Sequence, residues 1–368
     1  MTTKRLLDVC DFQGGTQPPK DEWINDPCEG YVRMLQIRDY SQGDAKFIQY
    51  VKDTKKLHKC TKDDIMLSRY GYIGQAFIGL EGAYNVALVK VIKKAEIHTP
   101  YLLCYFQSYY FQHFLLSNVG ARATIPGFNK DELENALIRI PEMCEQIEIA
   151  SKITKVDELI GFHKQQLNVL DTLIKSRFIE MFGDPKLNPR KWDMVTIGDI
   201  ATDVRYGTSR PATEGGKYPY LRMNNLTYEG YLDLTDLKHI DIPDNEIEKC
   251  VVRNGDVLFN RTNSVELVGK TCVYNLDSDM IIAGYIIRVR IDDRVLPVIL
   301  SSYLNSTVMK EQLRSMAKGA VNQANINAQE LRSISIYLPP ITLQHEFATF
   351  VEQVDKSKYH GEFTCGME

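Results

Sequence analysis

The sequence predicts a mixed α/β protein made of two copies of one module. Each copy is a globular domain that runs into a helix, and the two helices are expected to pack as an antiparallel coiled coil. Three observations support this prediction: blocks of sequence recur in the same order, β-rich runs alternate with turns, and a heptad pattern follows the first copy. The 368 residues suffice for two domains, and a hydrophobic fraction of 44% with 25% charged residues suits folded cores.

The repeat consists of four blocks that recur collinearly, which chance similarity of turn sequences does not explain. The matched blocks are residues 6–19 and 197–211, 31–35 and 220–224, 59–69 and 249–261, and 127–157 and 324–355. They predict domain 1 over residues 1–141, a central helix over 142–184, domain 2 over 185–340, and a shorter C-terminal helix with a tail over 341–368.

Each domain combines strands and helices. Short β-rich runs bounded by turn residues occur at 63–71, 85–93, 255–261 and 285–291. A helical stretch follows them in each copy, at 100–117 and 297–316. The order of the strands in a sheet is left open.

The central helix is the clearest local prediction. Apolar residues recur in steps of three and four, which is the heptad seam of a coiled coil, and two polar residues interrupt it. The seam positions are Ile149, Ile153, Val156, Ile160, His163, Leu167, Leu170, Ile174, Arg177 and Met181, and in the second copy Phe347, Val351 and Val354. His163 and Arg177 are interpreted as polar residues that set the register, in preference to a catalytic or switching role. Pro141 suits the helix entry, and Gly183-Asp184-Pro185 ends the helix.

Composition excludes several classes of protein. No stretch approaches the length of a membrane-spanning helix, and the N-terminus lacks the apolar run of a signal peptide. Eight scattered cysteines without a C-x-x-C pair indicate reduced thiols in a cytoplasmic protein. The net charge of −4 comes from the two helical segments, because the domains are nearly neutral. Glycine-rich phosphate loops, zinc-ligand pairs and methyltransferase or nuclease motifs are missing, so we expect neither a catalytic role nor a metal or cofactor site on this chain.

Four matched loops carry residues suited to DNA. Glycine permits close approach to phosphate, Arg pairs with guanine, and Asn or Gln pairs with adenine. The candidates are Thr16 and Gln17 with Thr208, Ser209 and Arg210 (loop 1); Gln36 and Arg38 with Asn224 and Asn225 (loop 2); Arg69, Tyr70, Tyr72 and Gln75 with Arg261, Thr262, Asn263, Ser264 and Lys270 (loop 3); and Arg122 and Thr124 with Lys318, Asn322 and Gln323 (loop 4).

Each loop also has a plainer interpretation. Loop 1 with its backbone amides is expected to clamp phosphate, yet a capped tight turn is slightly favoured. Surface solvation competes for loop 2, and a plain hairpin for loops 3 and 4. The copies share their frame but differ at these polar tips, as Gln36 and Arg38 differ from Asn224 and Asn225. Such divergence favours two recognition domains for two different short sequences.

The doubled order of these motifs resembles the DNA-specificity subunit of type I restriction-modification systems. The resemblance rests on Gly14-Gly15-Thr16, on Ile138, Pro141, Gln146 and Ile149-Ala150, on Phe182-Gly183-Asp184-Pro185, and on Pro339, Gln344 and Phe347-Ala348. It implies two target-recognition domains that each read half of a split, asymmetric site in double-stranded DNA, with the helices fixing the gap. It also implies docking of two methyltransferase subunits and of restriction-translocase subunits, which would hold S-adenosylmethionine, ATP and Mg²⁺.

Two alternatives stay open at this point: a protein-binding scaffold that does not use DNA, and, less favoured, an autonomous DNA-modifying enzyme. The second helix departs from the family pattern, because its heptads stop after Val354. The chain is therefore expected to have a shortened, truncated or recombined distal coiled coil.

Overall fold

A computed structural model describes residues 2–42, 48–119, 127–320 and 323–363, and of their side chains all but those of 318–320, 323 and 359–363. The chain divides into two compact units, residues 1–161 (unit 1) and 162–368 (unit 2), so the division falls inside the central helix. None of the described helices is long and apolar enough to cross a membrane.

Unit 1 begins with a strand and ends in the central helix. Its elements are β1 (Thr2–Arg5), α1 (Leu6–Val9), β2 (Cys10–Gly14), β3 (Tyr31–Leu35), α2 (Ile37–Ser41), β4 (Tyr50–Lys52), β5 (Lys59–Cys60), β6 (Met66–Ser68), β7 (Ala76–Phe77), β8 (Gly82–Tyr84), β9 (Leu88–Lys93), α3 (Thr99–Gln107), α4 (Tyr109–Asn118), β10 (Leu137–Ile140) and the 40-residue helix α5 (Met143–Phe182), which continues into unit 2.

Unit 2 repeats this order with insertions. Its elements are β11 (Asp193–Thr196), α6 (Ile197–Ile200), β12 (Ala201–Tyr206), β13 (Tyr218–Leu221), β14 (Lys238–Ile240), α7 (Asp244–Cys250), β15 (Val251–Val252), β16 (Val257–Asn260), β17 (Thr262–Asn263), β18 (Thr271–Val273), β19 (Met280–Ile282), β20 (Ile286–Ile291), α8 (Pro297–Asn305), α9 (Thr307–Met316), β21 (Lys318–Ala320), β22 (Gln323–Asn325), α10 (Ala328–Arg332), β23 (Ser335–Leu338) and α11 (Ile341–Phe363).

The sheets confirm the repeat that the sequence predicts. Unit 1 has two four-stranded sheets, ordered β2-β9-β6-β7 and β4-β3-β8-β5, and unit 2 has their counterparts, β12-β20-β16-β18 and β14-β13-β19-β15. The pairs β3–β8 and β13–β19 are parallel, and their neighbours in each sheet are antiparallel. Two further ribbons, β1-β10 and β11-β23, join the start of each domain to the strand before its long helix.

A helical hairpin covers the first sheet of each unit. In unit 1, Phe12 on β2 meets Phe106 on α3 edge to face, and Phe106 meets Phe111 on α4 in the same way. Ser108 caps α4 by accepting a hydrogen bond from Phe111 N, and Ser306 caps α9 through Met309 N. These equivalent caps define an offset of 198 residues (306 − 108) between the units in this region.

One buried glutamine fixes the start of each long helix. Gln146 Oε1 accepts from His98 N at 3.0 Å, and Gln344 Oε1 accepts from Leu296 N at 2.8 Å. Each glutamine also donates to a proline carbonyl just before its helix, so its polar atoms are paired although the side chain is buried. The matched glutamines of the repeat therefore join each domain to its helix.

The end of α5 and the start of α11 pack antiparallel within unit 2. Phe182 meets Phe347 with ring centroids 5.5 Å apart, and Asp171 Oδ1 lies 2.7 Å from Lys358 Nζ. Residues later in α5 therefore contact residues earlier in α11, as antiparallel packing requires. Asp171 also accepts a hydrogen bond from Tyr231 OH at 2.9 Å, so the helix pair is tied to domain 2 by a half-buried polar network.

The predicted seam is correct in part. In α11, Phe347 and Val354 are buried and Val351 is half-buried, and in α5 Ile174 is buried while Leu170 and Met181 pack against the same core.

Arg177 lies at the seam as predicted. It is half-buried, pairs with Glu180, and lies over the ring of Phe350 in α11, 5.9 Å from its centroid. The predicted seam omits Phe178 and Phe182, which are buried in steps of four from Ile174 because α5 also packs against the core of domain 2.

The earlier part of the seam is less buried than the later part. Ile149 and Leu167 are half-buried, and four further seam positions are exposed: Ile153, Val156, Ile160 and His163. In the described part of the chain α5 has 40 residues and α11 has 23.

A buried lysine distinguishes the second helical hairpin from the first. Lys310 Nζ donates to Gly269 O at 2.8 Å, where Gln112 Nε2 of unit 1 donates to Gly74 O at 2.6 Å. Burial, with Lys175 and other cations nearby, lowers the pKa of Lys310 to about 7. Glu229 opposes this lowering.

We predict that Lys310→Gln stabilises unit 2 most at acidic and neutral pH. The folded pKa lies below the unfolded value, so the unfolded state binds more protons between about pH 7 and pH 10.5, and stability rises with pH across that window. At pH 6 the gain should be about 2 kcal/mol, because holding a charged lysine in this buried place costs free energy and glutamine recovers part of that cost. Urea unfolding at pH 6 and pH 10 measures this gain. A gain of equal size at both values would contradict the prediction.

Candidate nucleic-acid interface

Loop 1 is a tight turn in both units, and its backbone amides are already used. Gly15 N and Thr16 N donate to Leu88 O and Tyr84 O at 3.1 and 3.0 Å. In unit 2, Gly207 N and Thr208 N donate to Ile286 O and Ile282 O at 3.2 and 2.9 Å. The favoured interpretation of loop 1 as a tight turn is therefore confirmed, and the alternative that these amides clamp phosphate is wrong, because they hold the loop against the neighbouring strands.

The side chains of loop 1 differ in availability. Gln17 and Ser209 are exposed, whereas Thr208 is buried and accepts from Arg210 N. Arg210 is exposed and forms a two-bond ion pair with Glu246, whose pKa the arginine lowers. Exposed ion pairs contribute little energy, so DNA can compete for Arg210 at small cost. Thr16 is half-buried.

Loop 2 presents different polar groups in the two units. In unit 1, Gln36 Nε2 and Arg38 Nη2 both donate to Gln49 Oε1, at 3.2 and 2.7 Å, which holds them side by side. In unit 2, Asn224 is exposed. Asn225 is buried, where it caps a helical turn through Arg222 N and donates to Asp233 O.

Loop 3 of unit 1 projects aromatic and cationic groups. Tyr72 and Gln75 are exposed, and Tyr70 is half-buried. The Arg69 guanidinium lies 5.4 Å from the Tyr70 ring centroid, donates from Nε to Phe128 O at 3.1 Å, and is also bonded to Asn129. These contacts hold the arginine in one orientation while leaving part of it accessible.

Loop 3 of unit 2 holds its arginine in a similar way. Arg261 lies 4.8 Å from the Tyr206 ring centroid and donates to Asn325 Oδ1 at 3.1 Å. Asn263 and Ser264 are half-buried beside it, and Asn263 donates to Asn260 Oδ1.

Loop 4 is described only in part. Arg122, Thr124 and Asn322 lie outside the described residues, and of Lys318 and Gln323 only the backbone is described, in β21 and β22. In unit 2, β22 pairs with β17, so the end of loop 4 lies against loop 3. In unit 1, Gly127 forms an isolated bridge with Tyr70, which makes the same connection.

One turn in each unit brings the loops together. In unit 1 this turn follows β8 and forms one backbone hydrogen bond with each of three loops. Thr16 N of loop 1 donates to Tyr84 O, and Arg69 N of loop 3 donates to Ala87 O. Asn85 N donates to Leu35 O, which directly precedes loop 2. Unit 2 repeats all three bonds with Ile282 O, with Ala283 N to Leu221 O, and with Tyr285 O from Arg261 N. Loops 1, 2 and 3 are thus neighbours at one edge of each domain, and in unit 2 the described end of loop 4 lies against loop 3.

Four of the predicted DNA contacts are corrected. Thr208, Asn225, Thr262 and Lys270 are at most 7% exposed. Asn225 and Lys270 are paired inside the domain, Lys270 through its Nζ to Met223 O at 2.7 Å. Because their side chains are enclosed by protein, we assign these residues structural roles. DNA contact stays a prediction for the half-buried and exposed candidates.

Sequence reasoning missed the groups that orient the candidates. Gln49 and Glu246 lie outside the matched blocks, and Asn325 lies inside one without having been selected as a site residue. The fold brings all three to the loops. The turn after β8 was predicted as part of a strand over 85–93, whereas β9 begins at Leu88. In the repeat, Asn129 is matched to Asn327. This match indicates that the two residues occupy equivalent positions, and it does not predict the hydrogen bond between Asn129 and Arg69.

The fold and the loops at the edge of each domain define a class of protein. Each of its two copies has one cluster of polar loops and one long helix. The chain belongs to the type I restriction modification DNA specificity domain family, whose model matches it twice, over residues 1–172 and 189–360.

Relatives of known identity agree. The specificity subunit of the type I restriction enzyme EcoKI from Escherichia coli strain K12 is 22% identical, over 92% of this chain and 79% of the relative. The MjaVIII specificity subunit from Methanocaldococcus jannaschii is 23% identical, over 95% and 85%. The crystal structure of the S subunit of a type I restriction-modification system from M. genitalium has the same fold, with a TM-score of 0.53 at 14% identity over 99% of this chain and 91% of the other.

Proposed function

We propose that this chain recognises a bipartite, asymmetric DNA site, one half with each domain, as the specificity subunit of a type I restriction-modification complex. The observation that carries the proposal is that both domains bring loops 1, 2 and 3 together around the same turn, through the same three backbone bonds. The polar tips on this common frame differ, with Gln36 and Arg38 in one domain and Asn224 in the other. A shared frame with different tips suits two different half-sites.

The chemistry of modification and cleavage belongs to partner subunits in this proposal. The chain itself is non-catalytic and acts in the cytoplasm. Two methyltransferase subunits dock on it and supply S-adenosylmethionine, and restriction-translocase subunits add ATP and Mg²⁺. The support is membership of the family together with relatives that are named specificity subunits.

Arg69→Ala and Arg261→Ala should each weaken recognition of one half-site. Loss of an oriented arginine that contacts a base or a phosphate costs about 1–3 kcal/mol, or roughly tenfold to hundredfold in affinity. Competition binding of the assembled complex to duplexes altered in one half measures which half each change affects. Lys152→Ala, on the exposed surface of α5, is the matched control. Equal loss at both half-sites from either arginine change would contradict one domain per half-site.

A seven-residue insertion in α5 tests the ruler role of the helix. One heptad preserves the helix face and adds about 10 Å, or roughly three base pairs of duplex. We expect the preferred gap between half-sites to lengthen by about that amount while both half-site sequences stay the same. Binding to duplexes with graded gaps measures it, and a four-residue insertion, which rotates the face, is the control. An unchanged gap preference after the heptad insertion would contradict the ruler role.

A further inference from the structure

An open groove of about 520 Å³ lies in unit 1 beside the start of α5. Tyr105 of α3, Leu137 of β10, and Ile149 and Ile153 of α5 line its apolar walls. Leu137 is 45% exposed and Ile153 is 40% exposed. Its lining residues fall between Thr3 and Ile153, so among the described residues no side chain of α11 lines it.

The equivalent place in unit 2 is closed. With the offset of 198 residues, the four lining residues correspond to Tyr303, Ser335, Phe347 and Val351. The correspondence extends to hydrogen bonds, because Tyr105 OH donates to Leu137 O at 3.1 Å and Tyr303 OH donates to Ser335 O at 3.2 Å. The two grooves therefore have one architecture and differ in what fills them.

The end of a helix fills the groove of unit 2. Phe178 and Phe182, four residues apart in the last turns of α5, are buried with ring centroids 5.4 and 5.5 Å from that of Phe347. The turn that follows is bonded as well, since Gly183 O accepts from Tyr337 OH at 3.0 Å and Pro185 O from Tyr303 OH at 3.2 Å.

We propose that the groove of unit 1 binds the end of a helix from a second polypeptide. That helix carries two large apolar side chains, preferably aromatic, four residues apart in its last two turns. The charge at the groove supports a helix C-terminus, because the exposed Arg139 stands where unit 2 has Tyr337, and a cation stabilises the carbonyl end of a helix. This docking surface is independent of the proposed contacts with DNA.

The aromatic pair at the end of α5 is engaged within unit 2, where Phe178 and Phe182 are buried. In α11, Lys358 is bonded to Asp171 and lies over the ring of Tyr231. The proposal commits to a helix of a second polypeptide as the occupant, because such a helix end matches the one that fills the equivalent groove and suits the charge of Arg139.

Peptide binding to the full chain tests the proposal. The probe is a fluorescent synthetic peptide of residues 168–187, the segment that fills the groove of unit 2. We expect saturable binding by anisotropy, weakened at least about tenfold when the peptide carries Phe178→Ala and Phe182→Ala, since each lost ring removes more than 1 kcal/mol of burial. Leu137→Glu in the chain should weaken it similarly. Ile147→Glu, at a residue 47% exposed on α5 outside the groove, should not.

Three results would overturn the proposal. The first is an absence of binding up to about 1 mM peptide, which is a very weak affinity for an interface of this kind. The second is equal loss with Leu137→Glu and Ile147→Glu. The third is a gain in peptide affinity when the chain is shortened to end at Lys358, because the chain's own C-terminal residues would then be the occupant. None of these results depends on DNA, so they leave the proposed function unaffected.

Discussion

Gly15→Ala is expected to abolish recognition by domain 1, whereas Gly14→Ala leaves it nearly intact. A Cβ at Gly15 would lie 2.1 Å from Asn85 O and 2.4 Å from Tyr84 O, both of them backbone atoms that cannot move aside alone. The turn that gathers the loops would have to separate from loop 1 and lose the bond from Thr16 N to Tyr84 O. Overpacking of this kind costs about 1–3 kcal/mol or more in stability.

The effect on binding should exceed the effect on stability, because loops 1, 2 and 3 all depend on that turn. We expect affinity for the half-site of domain 1 to fall by roughly a hundredfold, the equivalent of ~2.7 kcal/mol. The assay is competition binding of the assembled complex with half-altered duplexes. A Cβ at Gly14 meets nothing closer than Arg69 Nη1 at 3.8 Å, so the neighbouring substitution is a matched control.

Gly207→Ala provides the same test in domain 2. Its Cβ would lie 2.1 Å from Ile282 O, so the clash is the same as in domain 1. It should remove preference for the other half-site only. Loss of both preferences from one of the two glycine changes would contradict independent recognition by two domains.

Phe182→Ala should destabilise unit 2 by about 3–5 kcal/mol, the usual cost of removing a buried aromatic ring. Phe182 is fully buried between Phe178 and Phe347, at the point where α5, α11 and domain 2 share one core. For a unit of this size the melting temperature should fall by roughly 10 °C.

The control is the same substitution elsewhere on the same helix. Phe162 is 63% exposed, so Phe162→Ala should change the free energy of unfolding by less than about 1 kcal/mol. Denaturant unfolding of the two variants measures the difference. Similar destabilisation by both would mean that the buried aromatic cluster does not hold the helix pair to domain 2.

Much of the architecture could be predicted from the sequence, because the signals are local and doubled. The central helix was expected over 142–184 and extends over Met143–Phe182, and Gly183 adopts the expected left-handed conformation with φ +86°. Pro141 was expected at the helix entry and lies two residues before α5, whereas Gln146 and Gln344 were matched between the copies without a role at the entry.

The predicted heptad seam is incomplete where α5 also packs against a globular core. A period of 3.5 selects Arg177, which lies over Phe350 of α11, and omits Phe178 and Phe182, which the core of domain 2 buries. A pattern along one helix does not reveal how many elements will surround it.

The candidate site was predicted at the level of loops and less well at the level of atoms. Composition selected four loops, and the fold brings three of them, loops 1, 2 and 3, to one edge through the bonds of a turn that carries no motif of its own. Burial depends on tertiary packing. The sequence could not show that Asn224 is exposed and Asn225 is buried, because the two residues are adjacent and chemically identical. The same holds for Lys270, whose burial lowers its pKa.

The most direct test of recognition by two domains is methylome sequencing of a host that carries this chain with its methyltransferase partners. We predict methylation within one bipartite motif, two different short half-sites separated by a gap of fixed length. When the loops of domain 2 are replaced with those of domain 1, the methylated motif should change to one with two identical half-sites. A single contiguous motif, or methylation with no sequence preference, would contradict recognition by two domains on one helical rod.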